Sequence, residues 1–129
     1  MEKCIFCMIN NKELPSKAVY EDDYVLAFDD IHPQAPVHVV VISKRHIKDI
    51  VELAAEAIND TANNTAGQNA ADNKTLIGAL MKACIKVAEI KGIKDSGFRI
   101  INNCGEDAGQ SVMHVHFHVL GGESFGEKL

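Results

Sequence analysis

The chain lacks an excess of positive charge: 13 lysines and arginines stand against 18 aspartates and glutamates, a net charge of -5. A surface of that sign repels a phosphate backbone, which argues against nucleic acid as a partner. A small nucleotide still fits, in a locally positive pocket. Long hydrophobic runs are also missing. None approaches the roughly 18 residues that a membrane span needs, so no membrane partner is expected. Met1-Glu2-Lys3 leads into only a brief apolar stretch, too short for a secretory signal, and a cytoplasmic location is expected. Without export, Cys4, Cys7, Cys84 and Cys104 are expected to stay reduced, where a close pair binds metal more often than it crosslinks. Cys84 and Cys104 read as small buried hydrophobes. At 129 residues the chain has material for one domain over 1–129 with one core.

What is present falls into a clear order. A short helical turn is expected at 6–9, before the Asn10-Asn11 break. Stretches 17–20 and 24–28 read as strands joined by Glu21-Asp22-Asp23, a hairpin signal. Pro33 and Pro36 mark a rigid loop, and 37–42 then reads as a β-branched strand buried on both faces, interrupted only by His38. Apolar residues at 47, 50, 51, 54, 55 and 58 have helical spacing. Residues 59–73 have no periodicity and are expected to be a solvated, flexible insertion. Asp72 or Asn73 would cap the next helix, 74–91, whose apolar stripe runs from Leu76 to Ala88 and which Gly92 ends. Stretches 98–102 and 114–120 complete the sheet, and 123–129 is a tail. Strands, two helices, then strands predict an α+β fold with a mostly antiparallel sheet.

The run His114-Val115-His116-Phe117-His118 carries three of the six histidines. Side chains alternate faces along a strand, so the three imidazoles share one face while Val115, Phe117 and Val119 face the core. Two chemistries use such a row. Neutral imidazoles bind zinc, or one imidazole acts as a nucleophile while its neighbours fix its tautomer and stabilise charge. Just upstream, Gly105 and Gly109 allow tight turns that expose N–H groups, and Gln110 and Ser111 add neutral donors. Alone, that segment reads as a β-turn loop. Beside the histidine row it becomes a candidate anion site.

The run from His114 to Leu120 resembles the His-x-His-x-His-x-x pattern of the histidine triad (HIT) family. Asp30-Ile31-His32-Pro33-Gln34-Ala35-Pro36-Val37-His38 is similar to that family's first block. Gly109-Gln110-Ser111-Val112 and the trailing Gly121-Gly122 resemble its Hint branch. The resemblance implies a five-stranded antiparallel sheet with two helices, continued across a homodimer through the 74–91 helix and the 97–102 strand. It implies that His116 attacks the α-phosphorus of a purine nucleoside phosphoramidate, giving a nucleotidyl-histidine that water hydrolyses, with no catalytic metal. His118 and His38 would line the phosphate site, and Ser111 and Gln110 would bond the phosphate or leaving group. Asp30 would hold the ribose hydroxyls, Phe28, Ile31, Ile5, Phe6 and Ile9 the base, and Asn103, Gly109 and Val112 the rest of the nucleotide.

Cys4-Ile5-Phe6-Cys7 has the spacing of a zinc knuckle but supplies only two of four ligands. His46 and His114 are the candidates for the others, and in similar bacterial proteins the matching positions bind structural zinc. The alternative is a pair of reduced thiols. The tail lacks the Trp-Pro-Pro ending of some Hint proteins, which leaves the leaving group open. Three further functions stay open: a dinucleoside polyphosphate hydrolase, a zinc hydrolase using the histidine row, and a nucleotide-binding protein with little turnover.

Overall fold

A computed structural model describes residues 4–59 and 67–127, with the side chains of 56–59 and 67–72 excepted. The chain runs α1 (Ile5–Asn10), β1 (Ala18–Glu21), β2 (Val25–Asp29), β3 (Val37–Ser43), α2 (Ile50–Asn59), α3 (Gly67–Ile90), β4 (Phe98–Ile101) and β5 (His116–Gly121). The five strands form one sheet in the order β1-β2-β3-β5-β4. Every neighbouring pair is antiparallel. No described helix is long and apolar enough to cross a membrane.

Period-two alternation gives the sheet two different faces. Val25, Ala27, Val39, Val41, Val115 and Val119 pack against Leu76, Leu80, Cys84 and Val87 of α3, with Leu53 of α2 beside them. Each such buried leucine contributes on the order of 2 kcal/mol relative to exposure. The opposite face is smaller: Leu26, Phe28, Val40 and Ile42 bury Ile9 of α1, with Phe6 and Leu14 packed on top. Cys84 is fully buried, as expected, whereas Cys104 is only half-buried.

Several boundaries differ from the sequence reading. Helix α2 starts at Ile50, not at 47, because Asp49 caps it by accepting the Glu52 N–H at 2.9 Å. Ile47 lies ahead of the helix, buried, and its carbonyl accepts the Val115 N–H at 2.7 Å. Residues 67–73, expected in the loop, belong to α3; Ala70 and Ala71 favour helix and nothing there breaks one. Asn73 therefore lies inside the helix and is no cap. It is buried, and its Nδ2 donates to the Leu53 carbonyl at 3.3 Å, tying α3 to α2. The remainder of the expected insertion, 60–66, lies outside the described residues. Strand β5 begins at His116, since His114 and Val115 still belong to the approach from the preceding loop. A third helix, α1, fills out the turn expected at 6–9.

Gly121 closes β5 between two neighbours, paired to Val37 on one side and Phe98 on the other. A Cβ there would stand 2.6 Å from Ile93 Cδ1 and 3.3 Å from the Gly97 carbonyl. Overpacking of this kind costs about 1–3 kcal/mol. We expect Gly121→Ala to lower the urea midpoint by a corresponding amount with an unchanged m value. An unaltered midpoint would mean that Ile93 moves aside freely.

Candidate active site

The register places the histidines. His116 pairs with Ile42 and His118 with Val40, on the face that carries Phe28 and α1. His116 Nδ1 lies 2.7 Å from the His114 carbonyl oxygen. A carbonyl can only accept, so Nδ1 carries the proton and Nε2 keeps its lone pair. Nε2 has no hydrogen-bond partner among the described residues, and the ring lines a cavity with an apolar wall on this face. Behind it, Asn102 Nδ2 donates to the His116 carbonyl at 2.8 Å. Nucleophile candidate and backbone are thus held at both ends.

A second chain of bonds fixes His118. The Gln34 N–H donates to His38 Nδ1 at 3.0 Å, so the proton of His38 sits on Nε2. That nitrogen is 2.9 Å from His118 Nδ1 and 3.4 Å from Asp30 Oδ2. His118 Nδ1 must accept, and its Nε2–H is left as a donor toward the cavity. Asp30 Oδ1 meanwhile accepts the His32 N–H at 2.8 Å, which orients the carboxylate.

The cavity measures about 520 Å³, within the range of small-ligand sites. One wall is apolar, made by Ile5, Phe6 and Ile9 of α1 with Phe28 and Ile31. Ile31 is 84% exposed, an apolar side chain with nothing yet covering it. The other end is polar, with His116, His118, Asp30, Asn103 and Ser111, and with Gly109 and Val112 beside them. His38 stands behind His118 and does not line the cavity. Gln110 lines it, yet its carboxamide is engaged: Oε1 accepts from Gly105 N–H at 2.8 Å, and Nε2 donates to the Lys48 and Val112 carbonyls, each at 3.0 Å. Gln110 therefore pins the loop, and it cannot donate to a phosphate without breaking one of these bonds.

Leu14, Pro15 and Ser16 also line the cavity, and the sequence reading did not include them. They arrive there because the chain doubles back after α1: Glu13 and Leu14 both donate to the Met8 carbonyl, through Lys12 at φ 66°. The Asn102 clamp was missed too. A larger cavity of about 740 Å³ lies between Lys91, Arg99 and Phe125. No histidine or cysteine lines it, and Lys91 is paired with Asp29 at 2.8 Å, so the first cavity is the candidate site.

Cys4, Cys7, His46 and His114 gather at the base of α1, with their donor atoms all within 4.8 Å of one another. Cys4 Sγ is 3.2 Å from His114 Nδ1, and Cys7 Sγ is 3.3 Å from His46 Nδ1 and 3.6 Å from His114 Nδ1. A tetrahedral zinc with bonds of about 2.3 Å to sulfur and about 2.0 Å to nitrogen sets sulfur–nitrogen edges of roughly 3.5 Å. His114 Nε2 donates to the Ser43 carbonyl at 2.7 Å, which leaves Nδ1 in the ligating tautomer, as the outer partners of metal-bound histidines do. The four donors fit such a metal. The histidine row itself does not: His114 turns into this cluster, while His116 joins no donor group among the described residues. Asp30, His38 and His118 also converge, linked through the His38 Nε2–H.

Burial lowers the pKa of His116, with the His114 carbonyl opposing the shift. His118 is pushed down to about 4, by burial first and then by His116 and His38. In the unfolded chain an imidazole binds its proton near pH 6.5. Between those values the unfolded state takes up more protons, so stability falls as pH drops through that window and is unaffected above it. We expect the unfolding free energy of His118→Gln to decline less steeply between about pH 6.5 and 4 than that of the parent. Equal slopes would show that His118 binds its proton as readily in the folded protein as in the unfolded chain.

Residues 11–125 match the HIT domain family. The purine nucleoside phosphoramidase of Escherichia coli K12 is 36% identical over 128 residues, 99% of this chain and 94% of that protein. Protein HitA of Neisseria gonorrhoeae is 35% identical over 121 residues, 94% of this chain and 97% of that protein. A HIT family hydrolase from Clostridium thermocellum superposes with a TM-score of 0.83 at 43% identity, covering 100% of this chain and 98% of that one. A histidine triad protein from Clostridium difficile does so with a TM-score of 0.80 at 37% identity over the full length of both. Sequence and fold agree along nearly the whole length: the chain belongs to the HIT family.

Proposed function

We propose that the protein hydrolyses purine nucleoside 5′-phosphoramidates by way of a nucleotidyl-histidine on His116. The observation that carries this reading is the His116 Nδ1–H bond to the His114 carbonyl, which leaves Nε2 nucleophilic and neutral. Attack by Nε2 forms a phosphorus–nitrogen bond and breaks that to the leaving amine, which departs with its electron pair, having been protonated beforehand. The ring then carries phosphorus on Nε2 and a proton on Nδ1, and its positive charge faces the His114 carbonyl. The His118 Nε2–H supplies a hydrogen bond to a phosphoryl oxygen. Water next attacks phosphorus and gives up a proton to solvent, the electron pair of the phosphorus–nitrogen bond returns to Nε2, and the nucleoside monophosphate leaves.

The apolar slot of Ile5, Phe6, Phe28 and Ile31 suits a purine, and the Asp30 carboxylate suits a ribose diol. The phosphoramidase from Escherichia coli, similar over nearly the whole chain, supports this substrate class. A homodimer belongs to the same reading: β4 is an edge strand, and Ile100 on it and Met81 and Ile85 of α3 remain exposed. Zinc held by Cys4, Cys7, His46 and His114 would be structural, fixing the N-terminus against the sheet.

His116→Ala is expected to lower kcat on adenosine 5′-phosphoramidate by at least about 10³-fold while the product nucleotide still binds. Retained turnover would overturn the nucleophile assignment. Turnover of dinucleoside polyphosphates but not phosphoramidates would replace the substrate, and binding without turnover of either would leave a nucleotide-binding protein. Asn102→Ala removes the hydrogen bond to the His116 carbonyl. Its kcat should fall roughly tenfold with little change in KM; a change confined to KM would place Asn102 in binding instead.

A further inference from the structure

Helix α1 belongs to two sites at once. Its N-cap Cys4 and its first-turn Cys7 belong to the candidate metal cluster, and the same turn presents Ile5 and Phe6 to the cavity. The Phe6 ring meets His116 edge-on with centroids 5.0 Å apart, and it meets Phe28 and His114 at 5.8 Å each. At six residues, α1 is far too short to persist without tertiary support. Its support is the cluster at one end and Ile9 in the small core at the other. His114 repeats the double membership: ring Nδ1 faces the two sulfurs, and its carbonyl orients His116.

We infer that metal occupancy at Cys4, Cys7, His46 and His114 and nucleotide binding in the cavity reinforce each other, with α1 as the shared element. This rests on the nucleotide reading of the cavity given above. A bound cation clamps the start of α1 to His46 after β3 and to His114 just ahead of β5, and so fixes the Phe6 wall against which the base stacks. Without it, that turn keeps the Phe6 ring contacts and thiol–imidazole hydrogen bonds but no metal bonds, and the base must complete the ordering of the wall as it binds. Linkage makes the effect reciprocal: the nucleotide tightens the metal by the factor by which the metal tightens the nucleotide.

The test uses Zn²⁺ and AMP. AMP affinity is measured by calorimetry on the zinc-loaded protein and on chelator-stripped protein with an unchanged far-UV spectrum. Zinc affinity is measured by competition with a chromophoric chelator, with and without AMP. Both factors should be about five- to tenfold and equal, and the amides of α1 should exchange faster in the stripped form. Phe6→Ala keeps all four donors, and its coupling factor should approach one. If stripping unfolds the chain, His46→Ala serves instead: it removes an exposed ligand outside the cavity, and its AMP affinity should drop. Equal AMP affinity with and without zinc, or in His46→Ala and its parent, overturns the coupling while the nucleotide site stands. Failure to bind zinc at all also overturns it. A zinc-loaded protein that neither binds AMP nor cleaves phosphoramidates removes both this inference and the function on which it rests.

Discussion

Strand β5 is enclosed on both sides, and its two rows of side chains cannot trade places. Val115, Phe117 and Val119 pack toward α3, where Leu80, Cys84 and Val87 wait; His116 and His118 then have only the α1 face to occupy. A slip of one residue would drive imidazoles into the aliphatic core and valines into the cavity. Everything at the site inherits this constraint. It sets which atoms of β3 meet the histidines, so that His38 reaches His118 across the sheet at 2.9 Å. It also leaves the second face too sparsely covered to close, which is why a cavity of about 520 Å³ survives between the sheet, α1 and the loop before β5.

Within that frame, backbone groups rather than charges assign the chemistry. The His114 carbonyl gives His116 its tautomer, the Gln34 N–H gives His38 its own, and His38 passes the choice to His118. Three neighbouring imidazoles end in three different states of readiness: one turned to thiols, one with a free lone pair, one with a free N–H. Burial lowers the pKa of His116 and of His118, so this division holds at neutral pH without help from a counter-charge.

The parts visible in the sequence were those governed by short-range periodicity. Alternation in 114–120 announced a two-faced strand, and the stripe from Leu76 to Ala88 announced a core helix. Other features depend on partners distant in sequence. Asn73 looks like a cap and is an interhelix tie, because its carbonyl partner on Leu53 is set by how α2 and α3 pack. Gln110 looks like a phosphate donor until Lys48, 62 positions away, takes one of its hydrogens. Leu14 reaches the cavity through a chain reversal at Lys12, a lysine at positive φ that no local rule favours. Asn102 has no motif of its own, and only the register of β4 against β5 brings it to His116.

Covalent attack by His116, as proposed, would have one consequence that neither direct attack by water nor simple binding shares. Two in-line displacements at one phosphorus each invert it, so together they restore the starting configuration. Turnover of an adenosine phosphoramidate made chiral at phosphorus with sulfur and oxygen isotopes measures this directly. The account predicts net retention in the nucleotide product. Net inversion would mean that water attacks the substrate itself, and the arrangement around His116 would need another explanation.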